Sequence, residues 1–139
     1  IVVACNTVSA YALDEMRENS KCPVIGVVEA GVKATSNTLK NKDTNILILG
    51  TKATINSKTY ENGLKKLGFN NVESKATGLF VPLVEEEIYD GAILTECFDY
   101  YFKEIKYPNA VILGCTHFPL ISKALQKYFA KDTIFIHSG

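Results

Sequence analysis

Apolar residues in this chain gather into short unbroken runs, separated by longer stretches in which they recur every three or four positions. The first run, residues 1 to 4, predicts a buried strand. "CNTVS" then supplies turn and helix-start chemistry, and Ala10, Leu13 and Met16 follow at helical spacing. Pro23 opens "VIGVV", a short β-branched run, before a helical stretch from Glu29 to Lys40. "NILILG" at 45 to 50 predicts a third strand. The segment after it places Ile55, Tyr60, Leu64 and Leu67 on one broad helical face, which Gly68 ends. A weaker strand is expected at Val72 to Lys75, and a helix within Gly78 to Asp90 that begins near Pro82. Residues 92 to 105 carry Ile93, Leu94, Cys97, Tyr101 and Phe102 at helical spacing. "YPN" punctuates the chain, "AVILG" gives another strand, a helix runs from Pro119 to Tyr128, and "TIFI" at 133 to 136 is a last strand.

Strands that are apolar throughout, alternating with helices of roughly 10 to 15 residues, predict an α/β protein with a mostly parallel sheet. In such sheets a ligand sits at the carboxyl ends of the strands. Three predicted strands end alike, in "VVACNT", "LILGT" and "VILGCT". Each puts small or reactive residues and a threonine where backbone amides and a helix start can surround an anion.

Composition narrows the class of partner. The 139 residues are 47% hydrophobic, enough for a real core, and 15 basic side chains balance 15 acidic ones. With no bulk positive field, neither nucleic acid nor an anionic membrane is an expected partner. The apolar runs are far shorter than the roughly 20 residues that span a bilayer. Four cysteines without a CxxC predict free thiols in a reducing compartment. The chain starts without methionine in the body of a strand and stops just after another, so a piece of something longer is expected.

The chemistry concentrates in two of the thiols. Cys22, in a connection beside Pro23, and Cys97, on an apolar helix face, read as packing residues. Cys5 and Cys115 instead sit at strand ends beside hydroxyl groups, where amides and helix starts favour the thiolate. His117, two residues beyond Cys115, is placed to tune that thiol. The spacing of Cys5, Cys115, His117 and His137 lacks the tight pairs of a structural zinc site, so no metal is expected. Cysteine with histidine would also serve a thiol-dependent hydrolase, and a non-catalytic anion-binding domain is a further reading. Two thiols on opposite sides of one ligand permit another chemistry. One removes a proton from carbon while the other delivers one to the opposite face, inverting a stereocentre. The developing carbanion then needs fixed donors, for which Asn6, Thr7, Thr51 and Thr116 are candidates alongside their ordinary use as helix caps.

The pair "ACNT" at 4 to 7 and "GCTHFPL" at 114 to 120 resembles the two cysteine motifs of the glutamate racemases, in the aspartate/glutamate racemase superfamily. "PVIGVVEAG", "GTKAT", "VPLVEEE" and the closing "HSG" agree, so the resemblance runs over essentially the whole chain. It implies three-layer α/β architecture in two similar domains, with residues 1 to 28 in the first, 29 to 137 in the second, and 138 to 139 returning to the first, which would be incomplete. It further implies cofactor-independent interconversion of L- and D-glutamate, supplying D-glutamate for peptidoglycan, in a cytoplasmic homodimer. By resemblance, Cys115 takes the α-proton of L-glutamate with help from His117, and Cys5 protonates the other face, the roles reversing for D-glutamate. Asn6, Thr7 and Thr116 would bind the amino and carboxylate groups, with Thr51 and Thr54 close by. Glu85 matches a family carboxylate, although taken alone it reads equally as a solvated position in an acidic run. His137 stands where relatives carry an acidic residue and receives no catalytic role. Family segments ahead of Cys5 have no counterpart in these residues, so the piece alone is expected to be inactive or poorly folded.

Overall fold

A computed structural model describes residues 1–138; Gly139, the end of the expected return segment, lies outside the described residues. Two parallel sheets organise the chain. The smaller joins β1 (Val2–Val3) to β2 (Ile25–Gly26), with α1 (Asn6–Tyr11) and α2 (Leu13–Glu18) between them. Helix α3 (Val27–Thr38) leads to the larger sheet, built from β3 (Ile46–Gly50), β4 (Val72–Ala76), β5 (Ala110–Gly114) and β6 (Ile134–His137) in the order β4-β3-β5-β6. Its crossovers carry α4 (Lys52–Asn56), α5 (Thr59–Lys66), α6 (Phe80–Glu85), α7 (Ala92–Phe102) and α8 (Ser122–Tyr128), the last preceded by a 3₁₀ turn at Phe118–Ile121.

The central strands β3 and β5 are buried along their whole length, which is why "ILILG" and "AVILG" are apolar at every position. Alternation divides their side chains between two cores. Ile46, Ile48, Ala110 and Ile112 face α3 and α5 with Val28, Tyr60 and Leu64. Leu47, Leu49, Val111 and Leu113 face α6, α7 and α8 with Phe80, Phe98, Phe118 and Leu125. Helix, sheet and helix thus form the three layers expected. Strand β4 is at an edge, and its "VESKA" is correspondingly polar and half-exposed.

Register fixes where the chemistry lies. Gly50 pairs with Gly114, and Gly50 with Ala76, so Thr51 and Cys115 leave the sheet side by side at its carboxyl edge. A side chain on Gly114 would put its Cβ 2.7 Å from the Leu49 carbonyl oxygen, so only glycine lets β5 run this close to β3.

Several expected elements differ. The strand at residues 1 to 4 shrinks to Val2–Val3, and Val2 is 71% exposed, because β1 has a single partner in β2. Val27 and Val28 begin α3 instead of continuing β2. The β-branched preference yields there to burial of Val28 in the core, and the Val28 N–H donates to Ser9 Oγ at 3.3 Å. The single helix expected after residue 50 is two, split where Lys58 adopts a left-handed conformation and Ser57 Oγ donates to the Thr54 carbonyl at 2.6 Å. Leu67 falls outside the buried face, 41% exposed. Gly68 does end the helix, with φ of 86°. Pro82 is the third residue of α6, still within the first turn where a missing N–H costs nothing.

Candidate active site

Cys5 follows β1 as the N-cap of α1, with extended backbone, and is exposed. Asn6 and Thr7 form the first turn of α1. Thr51 caps α4, its Oγ1 accepting from the Thr54 N–H at 3.2 Å. Cys115 follows β5 and is buried. These carboxyl ends converge on one cavity of about 150 Å³, lined by Cys5, Asn6, Thr7, Thr51, Val81, Gly114, Cys115, Thr116 and His117. Seven of the nine residues anticipated from the sequence line it, and the other two contact lining residues through their side chains.

Thr54 is the first of those. Its hydroxyl lies 3.0 Å from that of Thr51 and 3.1 Å from that of Thr7, while the Thr7 and Thr51 hydroxyls are 3.0 Å apart. Three hydroxyls in mutual contact carry three protons and spare lone pairs, so the cluster can turn either donors or acceptors towards a ligand. Glu85 is the second. Cys115 Sγ lies 3.7 Å from His117 Nδ1, and His117 Nε2 lies 3.3 Å from Glu85 Oε1. Thiol, imidazole and carboxylate therefore stand in line, the carboxylate orienting the ring and stabilising it when protonated. Glu85 is open to solvent, which weakens that pull.

The thiol itself departs from expectation. Burial pushes the Cys115 pKa up, opposed by hydrogen bonds from the His117 and Thr116 backbones and the Thr116 side chain; the Cys5 thiol adds to the rise. Proximity to amides does not lower the Cys115 pKa, because desolvation outweighs it and a 3₁₀ turn, not an α-helix, begins behind the residue. Cys5 and Cys115 both line this cavity.

Asn6 is 2% exposed, with both ends of its amide engaged. Tyr60 Oη donates to Asn6 Oδ1 at 2.6 Å, and Asn6 Nδ2 donates to Ser138 Oγ at 3.2 Å. The buried Tyr60 phenol is pushed up to about 12 by desolvation, so it remains a donor at any ordinary pH. Tyr60, Ser138, Gly114 and Val81 are not among the site residues named from the sequence. Tyr60 is counted there as one apolar position of a helix, although a buried tyrosine needs a partner for its hydroxyl, and that need is the missed signal. Ser138 follows β6 as Cys115 follows β5, so the strand-end rule could have found it. His137 is exposed and is not among the residues lining the cavity.

The sequence profile of the Asp/Glu/Hydantoin racemase family matches residues 1–138. The chain belongs to this racemase family. A glutamate racemase of Campylobacter jejuni is 51% identical over 139 residues, all of this chain and 56% of that protein. The crystal structure of glutamate racemase from Campylobacter jejuni superimposes with a TM-score of 0.97 over 99% of this chain and 55% of the other. That of Francisella tularensis glutamate racemase, in complex with D-glutamate, gives 0.83 at 38% identity over 98% of this chain and 51% of the other. The racemase-family chain thus spans about half the length of the relatives it matches.

Proposed function

We propose that this chain carries both catalytic thiols of a glutamate racemase and acts as part of a longer cytoplasmic protein, a homodimer, that interconverts L- and D-glutamate and supplies D-glutamate for peptidoglycan. The observation that supports this most is the convergence of Cys5 and Cys115, 110 positions apart in sequence, on one small cavity. Cavities for drug-sized ligands run to roughly 300 to 1,000 Å³, so this one suits a compact metabolite. Residues 1 to 28 belong to one domain on this reading, 29 to 137 to a second, and the chain returns to the first at 138.

In the proposed reaction Cys115, as thiolate, takes the α-proton of L-glutamate, and Cys5, as thiol, protonates the opposite face. D-glutamate reverses the two roles. A single base would tend to return its own proton to the same face; two bases invert. Because burial disfavours the Cys115 thiolate, His117 beside it is the group that accepts its proton, and Glu85 steadies the resulting imidazolium. Asn6, Thr7, Thr51, Thr54 and Thr116 supply donors and acceptors for the substrate's amino and carboxylate groups. No step calls for a cofactor or a metal.

The line of Cys115, His117 and Glu85 would also suit a thiol nucleophile, which is the second reading. A hydrolase has no use for a second thiol on the same cavity, and Cys5 therefore favours the racemase. Solvent-deuterium exchange at Cα of glutamate separates the two. Cys5→Ala or Cys115→Ala is expected to lower racemisation by at least about 10²- to 10⁴-fold, the usual scale of general acid–base catalysis. Cys22→Ala leaves the rate unchanged. Full racemisation by Cys115→Ala would overturn the two-thiol reading, and hydrolysis of an amide or thioester substrate would favour the alternative.

A further inference from the structure

One side chain touches the surroundings of both cysteines. Tyr60, on α5, directs its hydroxyl to Asn6, the residue after Cys5. Its ring lies under Gly114, the residue before Cys115, where a Cβ would come within 3.3 Å of Tyr60 Cε2. The phenol is 2% exposed and packs into the core between α3 and the central strands, so it has no freedom to follow a ligand. Space is cleared for it deliberately. A Cβ on Gly31 of α3 would fall 2.9 Å from Tyr60 Oη and 3.2 Å from Ser138 Cβ.

We infer that Tyr60 is a positioning residue that sets the placement of Cys5 relative to Cys115, acting as a buried strut between the two half-sites through Asn6 on one side and Gly114 on the other. The inference rests on the two-thiol racemase reading. Tyr60 lines no part of the cavity and touches no reacting atom. Its rigid ring is already located by core packing, so the 2.6 Å bond from its hydroxyl ties the first turn of α1, and with it Cys5, to the sheet that carries Cys115. Ser138 holds the other end of the Asn6 amide, so loss of the tyrosine hydroxyl frees half of that tie and leaves a buried acceptor unpaired.

Such a strut has a kinetic signature. When Cys5 drifts while Cys115 stays fixed, proton transfer at Cys5 becomes the slower of the two. Deuterium at Cα of D-glutamate is removed by Cys5, and its isotope effect is then fully expressed. Deuterium at Cα of L-glutamate is removed by Cys115, and its isotope effect is masked. A general loss of stability moves neither ratio. The test is Tyr60→Phe in the full-length protein, which keeps the ring under Gly114 and removes only the hydroxyl. The expected result is a fall in kcat of about tenfold, the rate equivalent of one hydrogen bond, with KM within about twofold. The primary isotope effect should rise with D-[2-²H]glutamate and shrink with L-[2-²H]glutamate relative to the unsubstituted protein. Gly31→Ala provides a second variant that removes no polar group and favours the helix; crowding the phenol should skew the isotope effects in the same sense. Unchanged kinetics, or a slower reaction with the isotope ratio unmoved in whichever variant is folded, would overturn the strut. An unsubstituted protein that fails to racemise glutamate would remove the racemase reading and this inference with it.

Discussion

Cys5 and Cys115 sit in opposite environments, and the difference is measurable. Cys5 is exposed, whereas Cys115 is 8% exposed with its pKa raised by burial. Alkylation by iodoacetamide near neutral pH, followed by peptide mass mapping, should therefore label Cys5 well before Cys115, because the thiolate is the reactive form and burial restricts both its formation and its access. Equal labelling would contradict the buried placement of Cys115. The same shift has a consequence for stability. A thiol whose pKa is higher in the folded than in the unfolded chain contributes stability that is fully present below the usual thiol value, roughly 8.5, and is lost as pH rises through the raised folded value. Cys115→Ser removes this group, so its unfolding midpoint should fall less steeply than the parent's over that alkaline window. Residue order reveals that Cys5 and Cys115 stand at strand ends beside hydroxyls, and the structure places Thr7 and Thr116 on one cavity; residue order alone leaves the rest open. It does not reveal which thiol is buried, since burial depends on Phe118 and the 3₁₀ turn folding back over β5. The partnership of Tyr60 with Asn6 is equally hidden, because it joins positions 54 apart that share no motif.

Elements were legible where local pattern and tertiary burial agree. The runs at 46 to 50 and 110 to 114 are strands because their residues are apolar on both faces and both faces are covered. Pattern and structure part where the two conflict. Val27 and Val28 carry strand propensity, yet Val28 is buried in the core and its N–H donates to Ser9 Oγ, so the chain continues there as α3. The break between α4 and α5 had a local signal in Asn56 and Ser57, both turn formers, which the apolar spacing around them outweighed. Packing at the strand ends yields a sharp contrast between two glycines. A methyl group on Gly114 meets the backbone carbonyl of Leu49, which cannot rotate away, whereas nothing lies within 4 Å of the corresponding position on Gly78. Gly114→Ala should destabilise the chain by about 1–3 kcal/mol, the usual cost of overpacking. Gly78→Ala should change stability by less than about 0.5 kcal/mol. Denaturant unfolding of both variants reads the difference, and equal midpoints would mean that β3 and β5 separate more easily than their close register suggests.

At the scale of the whole chain, the two sheets are unequally supported. The larger has a core on each face, containing most of the fully buried side chains. The smaller rests on Val3, Leu13 and Val24 with Met16 packed against them, reinforced by the Arg17 guanidinium, which pairs with both carboxylate oxygens of Glu29 at 2.9 and 2.7 Å. Exposed pairs of that kind contribute little. Ile1, Val2 and Ile25 are each more than half exposed, so the small sheet presents an apolar face and open strand edges. Since Cys5 follows β1 as the N-cap of α1, support for the small sheet also bears on where that thiol is held. Hydrogen exchange on the 139-residue chain by itself should show β1 and β2 amides exchanging with low protection while β3 and β5 exchange only on global opening. The same amides should become protected in a full-length protein, where further chain can cover that face, and racemisation should appear together with that protection. If β1 and β2 are already as protected as β3 and β5 in the chain alone, the small sheet needs no further support, and the proposal that activity belongs to a longer protein loses its physical basis.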